Sequence, residues 1–352
     1  MSYQHLISPK THYYKLSVPY QLESGTILTG VEIAYRTWGT LNLNGDNAIL
    51  ICHALTGSAD ADIWWEGLLG SNKALDNNKH FIICINVLGS CYGTTGATSI
   101  NPETGIPYGG KFPEITIRDM VRLQAILLIR ELRIKSLKLV IGGSLGGMQV
   151  LEWALLYPDM VRAIAPMATS GRHSPWCIGL SEAQRQAIYA DPNWLGGNYT
   201  PENPPNRGLA VARMMAMSTY RSWESFQERF GRNYDQVAEQ FTIANYLQYH
   251  GQKLVERFDA NTYITLTRAM DTHDIAQGRE YKAVLQSIKQ PALIVAINSD
   301  ILYPPTEQEE MANLIPRGEL VSLKSIYGHD AFLIDTIELN QLVIDFLTVI
   351  PD

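Results

Sequence analysis

The chain has 352 residues, long enough for one large α/β domain carrying an insertion. A hydrophobic content of 46% against 18% charged residues indicates a globular protein with a substantial core, and no apolar run reaches the length of a membrane span. The formal net charge of −7, without a long basic cluster, argues against a nucleic-acid binder, and any anionic substrate must be met by a local basic site that overcomes the global field.

The first residues, Met1-Ser2-Tyr3-Gln4-His5, lack the basic and apolar regions of a secretory signal, so a cytoplasmic location is expected. Ile27 to Arg36 alternates as an early strand. Asn47 to Cys52 and His80 to Asn86 are short apolar runs that end in polar or Gly-rich loops, as buried strands do. Thr116 to Leu132 has helical periodicity, with Ile117, Met120, Val121, Gln124, Leu128 and Leu132 near one face. Leu137 to Ile141 reads as a buried strand, and Met148 to Tyr157 as a helix stopped by Pro158. Further strands are expected at Val161 to Ala168, Gln290 to Ile297 and Gly318 to Leu323, and a closing amphipathic helix at Leu339 to Val349.

Strands alternating with helices imply a mostly parallel sheet covered on both faces, an α/β fold. Residues 172–289 interrupt that pattern. They hold Trp, Tyr, Met and Arg in helix-like stretches, a Pro/Asn/Gly-rich break from Asn198 to Gly208, and no apolar strand run. The expected organisation is a first core part over 1–171, a helical lid insertion over 172–289 and a second core part over 290–352; an independent helical domain is the other reading of the middle segment.

Cys52 and Cys84 fall in predicted strands, Cys91 and Cys177 in predicted loops, and their spacing gives no disulfide framework. The eight histidines form no metal-binding spacing, so no metal is expected.

Gly142-Gly143-Ser144-Leu145-Gly146 fits Gly-x-Ser-x-Gly, the nucleophile elbow of the α/β-hydrolase fold, and has the strand before it and the helix after it that the motif requires. Only small neighbours let strand and helix approach closely enough to lift a serine oxygen above the sheet at a helix N-terminus. Ser144 is therefore the candidate nucleophile, with Cys91 a weak rival. Asp300 follows the strand at 292–297, where an acid points into the crevice at the carboxyl ends of parallel strands; a turn or helix-cap aspartate before Pro304 is the alternative. His329 follows the last strand, and the order Ser144, Asp300, His329 is that of α/β-hydrolases; His273 and His250 are weaker candidates for the base. An oxyanion hole needs two N–H donors: Leu145 supplies one, and Leu55, in the loop after the strand at 48–52, is the choice for the other.

His53-Ala54-Leu55-Thr56-Gly57, Asn86-Val87-Leu88-Gly89, Gly142 to Gln149, Asn298 to Pro304 and Tyr327 to Leu333 together resemble the homoserine O-acetyltransferases, over nearly the whole chain. The resemblance implies acetyl transfer from acetyl-CoA, as co-substrate with no bound cofactor, to the hydroxyl of L-homoserine, a step toward methionine. It implies a homodimer built through the helical insertion. By position it implies that Arg213 holds the substrate carboxylate and Asp330 the ammonium. A surface arginine and an N-cap aspartate are the plainer readings of those two residues. A succinyl donor, a serine acceptor, or an esterase or thioesterase on the same scaffold stay open, as does a non-catalytic binding protein.

Overall fold

The computed structural model describes residues 7–350, so the reading of Met1 to His5 lies outside the described residues. Eight strands form the main sheet: β1 (His12–Lys15), β2 (Glu32–Trp38), β3 (Ala48–Cys52), β4 (Phe81–Ile85), β5 (Leu137–Gly143), β6 (Ile164–Met167), β7 (Ala292–Ile297) and β8 (Gly318–Leu323). Their spatial order is β1-β2-β4-β3-β5-β6-β7-β8. β2 runs antiparallel to β1 and β4, and the remaining neighbours pair in parallel.

Period-two alternation distributes the apolar runs to both faces. Ala48, Leu50 and Cys52 of β3 enter one buried cluster, and Ile49 and Ile51 enter the other. Every residue of β3, β6 and β7 is buried, which explains their unbroken apolar reading.

The helices are α1 (Ile117–Ile126), α2 (Leu145–Leu156), α3 (Pro175–Tyr189), α4 (Asn206–Tyr220), α5 (Trp223–Phe230), α6 (Thr242–Val255), α7 (Ala260–Asp271), α8 (Tyr281–Ser287), α9 (Pro305–Leu314) and α10 (Thr336–Val349), besides shorter turns. Helices α3 to α8 lie in sequence between β6 and β7, in the segment expected to be helical.

The structure departs from the expected elements at several points. The early strand at 27–36 is two pieces. Ile27–Leu28 pairs with Tyr20–Gln21 in a separate hairpin, the chain turns through Gly30 at φ 63°, and β2 begins at Glu32. The helix expected over 116–132 starts at a capping box, in which Thr116 and Asp119 exchange side-chain-to-backbone bonds, but it widens into a π-helical turn at Leu127–Glu131. Cys177 lies in α3, not in a loop: Ser174 caps that helix and Pro175 opens it. The middle segment also contains a hairpin, Tyr234–Asp235 with Gln240–Phe241, whose two-residue strands are too short to leave a pattern.

Candidate active site

Ser144 joins β5 to α2 with φ 58° and ψ −125°, a conformation costly for a residue with a side chain. The glycines around it make that turn possible. A Cβ on Gly142 or on Gly146 would run into the carbonyl oxygen of Cys52, and one on Gly147 would lie 2.5 Å from Thr169 Cγ2. Ser144 N–H donates to Met167 O at 3.0 Å, and Thr169 Oγ1 donates to Ser144 O at 3.0 Å, so the strained residue is held from β6 and the loop beyond it. The first turn of α2, which includes Leu145 N–H, presents backbone donors at the positive end of the helix dipole.

The loop carrying Leu55 is fixed beside this turn. His53 is fully buried, and Val87 N–H donates to its Nε2 at 3.1 Å; the ring proton is therefore assigned to Nδ1, which donates to Ala54 O at 2.8 Å. Burial pushes the His53 pKa down to about 4, keeping it neutral. Gln149 of α2 donates to His53 O at 3.3 Å and to Leu145 O at 3.2 Å. Its own oxygen accepts from Gln124 at 2.8 Å, and Gln124 accepts from Trp153 Nε1 at 2.9 Å. This buried chain ties the Leu55 loop to the Leu145 turn. A glutamine inside a helix that is apolar but for Gln149 and Glu152 is the signal of this chain in the sequence.

Asp300 and His329 are brought together. Asp300 Oδ2 lies 2.7 Å from His329 Nδ1, while Oδ1 accepts from Leu302 N at 2.8 Å and Tyr303 N at 3.0 Å. Both readings of Asp300, turn former and histidine partner, are met by one carboxylate. The two loops are laced by Ser299 Oγ, which accepts from Gly328 N at 3.0 Å, and Asn298 Oδ1, which accepts from Ser325 N at 2.7 Å. Burial lowers the His329 pKa, but the charge and hydrogen bond of Asp300, with Asp330 adding to them, hold it above the ordinary histidine value.

Three rings pack on His329: Tyr303 at 5.3 Å between centroids, Phe332 at 5.6 Å and Tyr220 at 5.6 Å. Phe332 also presses on the elbow, since a Cβ on Gly143 would lie 2.6 Å from its ring. One phenyl group thus spans the His329 loop and the residue before Ser144. Tyr303 is fully buried, with its hydroxyl 3.2 Å from His173 Nδ1. His173 Nε2 is in turn 3.8 Å from Asp271 Oδ1, and Asp271 Oδ2 accepts from Arg185 Nη2 at 2.6 Å. Nothing in the sequence pointed to this connection between α3, α7 and the Asp300 loop.

Asp330 precedes the short helix Ala331–Ile334, yet its side chain makes no capping bond. Its Oδ2 lies 3.3 Å from Arg221 Nε. Burial raises the Asp330 pKa, and Arg221, then Arg213 and His329, oppose that rise. Arg213 reaches in from α4, its guanidinium 5.3 Å from the centroid of the Tyr220 ring that packs on His329. Arg213 and Asp330 therefore converge on the His329 loop together with Arg221, which the sequence reading did not single out.

The rivals lie elsewhere. His273 is buried, with Nε2 3.3 Å from Ser170 O, and burial pushes its pKa to about 3. His250 packs edge-on against Tyr246, with ring centroids 4.4 Å apart. Cys91 is buried, and its thiol is pushed up to about 12, which keeps it protonated. Among the described residues no three His, Cys, Asp or Glu side chains form a metal-binding group, and no helix is long and apolar enough to cross a membrane.

A strained serine at a strand-to-helix turn, with an Asp–His pair on the loops after the last two strands of a mostly parallel sheet, defines the α/β-hydrolase class. A family model described as the alpha/beta hydrolase fold matches residues 47–336. Two solved structures superpose equally well: the crystal structure of esterase E22, 28% identical with a TM-score of 0.88 over 96% of this chain and 99% of that one, and homoserine O-acetyltransferase from Bacillus anthracis, 30% identical with a TM-score of 0.88 over 96% and 97%. Sequence separates what shape does not. The homoserine O-acetyltransferase of Trichormus variabilis is 76% identical over 98% of this chain and 96% of its own length. The chain belongs to the homoserine O-acetyltransferase family of α/β-hydrolase-fold enzymes.

Proposed function

We propose that this chain transfers the acetyl group of acetyl-CoA to the hydroxyl of L-homoserine by a ping-pong route through acyl-Ser144. Ser144 Oγ attacks the thioester carbonyl while His329 takes its proton, and the oxyanion rests on the Leu55 and Leu145 N–H groups. The carbon–sulfur bond breaks, and the thiolate leaves with the proton from His329. Homoserine then enters, its ammonium toward Asp330 and its carboxylate toward Arg213. Its hydroxyl gives a proton to His329 and attacks the acyl carbon, which releases Ser144 and O-acetylhomoserine.

The Asp300–His329 contact at 2.7 Å, on the loops that follow β7 and β8, carries the catalytic assignment. The choice of transfer over hydrolysis rests on the 76% identity to a homoserine O-acetyltransferase. The residues 172–289 act as a lid that keeps water from the acyl-enzyme, and they carry the homodimer contact. The likeness in shape to esterase E22 supports hydrolysis as a second reading.

Intact-mass measurement after mixing with acetyl-CoA tests the route: wild type gains one acetyl group, Ser144→Ala gains none, and added homoserine discharges the adduct as O-acetylhomoserine. Discharge to acetate alone, with homoserine present, would establish the hydrolase. kcat/KM for acetyl-CoA and succinyl-CoA, crossed with homoserine and serine, fixes donor and acceptor.

A further inference from the structure

Beside the His329 loop lies a cleft of about 280 Å³, bounded by α5, by Tyr246 of α6 and by Ile326 and Tyr327. Two guanidinium groups, Arg221 and Arg229, line it with the rings of Phe226, Phe230 and Tyr246. Arg229 lies 4.8 Å from the centroid of the Tyr246 ring and 5.2 Å from that of Phe230. No carboxylate pairs with Arg229 among the described residues.

The cleft is a local positive site on a chain of net charge −7. His250 packs edge-on against Tyr246 at 4.4 Å, and burial, then the charges of Arg213, Arg221 and Arg229, push its pKa down to about 4. Glu228 is the one acidic lining residue; it and Arg229 are exposed, and Arg221 is half-buried. Arg221 links the cleft to the His329 loop, because its Nε lies 3.3 Å from Oδ2 of Asp330, the residue after His329.

We infer, on the reading that acetyl-CoA is the donor, that this cleft holds the phosphates at the nucleotide end of that donor, bound by Arg229, which the rings of Phe230 and Tyr246 support from beneath, and by Arg221. Guanidinium forks suit phosphate oxygens. A carboxylate the size of the acceptor's does not need such a cavity, and Arg213 already serves it. A thioester at the end of a long flexible arm is best anchored at a distance from the nucleophile, so that binding energy from the non-reacting part of the substrate positions the reacting part.

Steady-state kinetics with two donors test the assignment: acetyl-CoA, and acetyl-pantetheine, which has the same thioester and no nucleotide. Arg229→Ala raises KM for acetyl-CoA about tenfold or more, the scale of one charge-assisted hydrogen bond. KM for acetyl-pantetheine, kcat with either donor and KM for homoserine stay at wild-type values, which also shows that the variant is folded. Arg229→Lys recovers part of the loss, and raising ionic strength weakens acetyl-CoA in wild type more than in Arg229→Ala. Equal KM changes for both donors, or no change for either, overturn the nucleotide site while leaving the acetyltransferase reading intact. Failure of wild type to acetylate homoserine from either donor overturns that reading instead.

Discussion

Asp300 serves two structures with one carboxylate, holding its own turn through Oδ1 and His329 through Oδ2. Asp300→Asn preserves the size of the group but not its charge or its acceptor character toward Nδ1–H. By analogy with such exchanges in Ser-His-Asp sites, kcat should fall about 10³- to 10⁴-fold. The pH profile gives an independent reading. A general base at His329 must be neutral to accept a proton, and Asp300 holds its pKa above the ordinary value, so the acid limb of kcat/KM in wild type should lie above pH 6.5. Removing the Asp300 charge takes away what raises the pKa, and the residual activity should show its acid limb at lower pH. The acceptor role proposed for Arg213 predicts a change in a different quantity. Arg213→Ala should raise KM for homoserine and shift product from O-acetylhomoserine toward acetate, measurable by quantifying both products; an unchanged ratio would remove Arg213 from the acceptor site.

At the scale of elements, the loop after β3 and the start of α2 behave as one piece because Gln149 bonds the carbonyl oxygens of both His53 and Leu145. Gln149→Leu fills much of the same space but leaves those carbonyls and the Gln124 amide unpaired in the core, a loss of about 1–3 kcal/mol in urea unfolding. Loosening the Leu55 loop should lower kcat with little effect on KM. The elements that place Ser144 and Asp300 were legible because β5 and β7 are buried on both faces and so read as apolar runs, whereas β8, before His329, is largely exposed and shows only Leu320, Val321 and Leu323. β1 was missed for the converse reason: His12-Tyr13-Tyr14-Lys15 is largely exposed, and only pairing with β2 makes it a strand. The partners of the site were also illegible. Tyr303, His173 and Asp271 meet, and Arg221 reaches Asp330, through tertiary contacts between distant segments, and nothing local in a tyrosine or an arginine announces which loop it will face.

At the scale of the whole molecule, the chain of contacts Arg185–Asp271–His173–Tyr303 runs from the middle segment to the base of the site. Tyr303→Phe keeps the ring on His329 but removes the hydroxyl from His173; a loss of about 1–3 kcal/mol is expected in thermal or urea unfolding. The middle segment also exposes large apolar side chains, Trp223 at 74%, Val237 at 96% and Tyr249 at 57%, the kind of surface that a second subunit covers. Sedimentation should give twice the mass of one chain, and Trp223→Asp should shift the population toward monomer. The closeness of Gly142 and Gly146 to the Cys52 carbonyl has a consequence for how such an enzyme diversifies. Even one added methyl group at either position forces strand and helix apart, so the elbow is closed to gradual change; between β6 and β7 the same crowding by backbone is met at Gly208, against Ala187 O, and at Gly251, against Ala210 O, and neither glycine adjoins a residue of the site. A lineage that acquires a new donor or acceptor on this scaffold should record that history in residues 172–289, with the turn that bears Ser144 inherited unaltered.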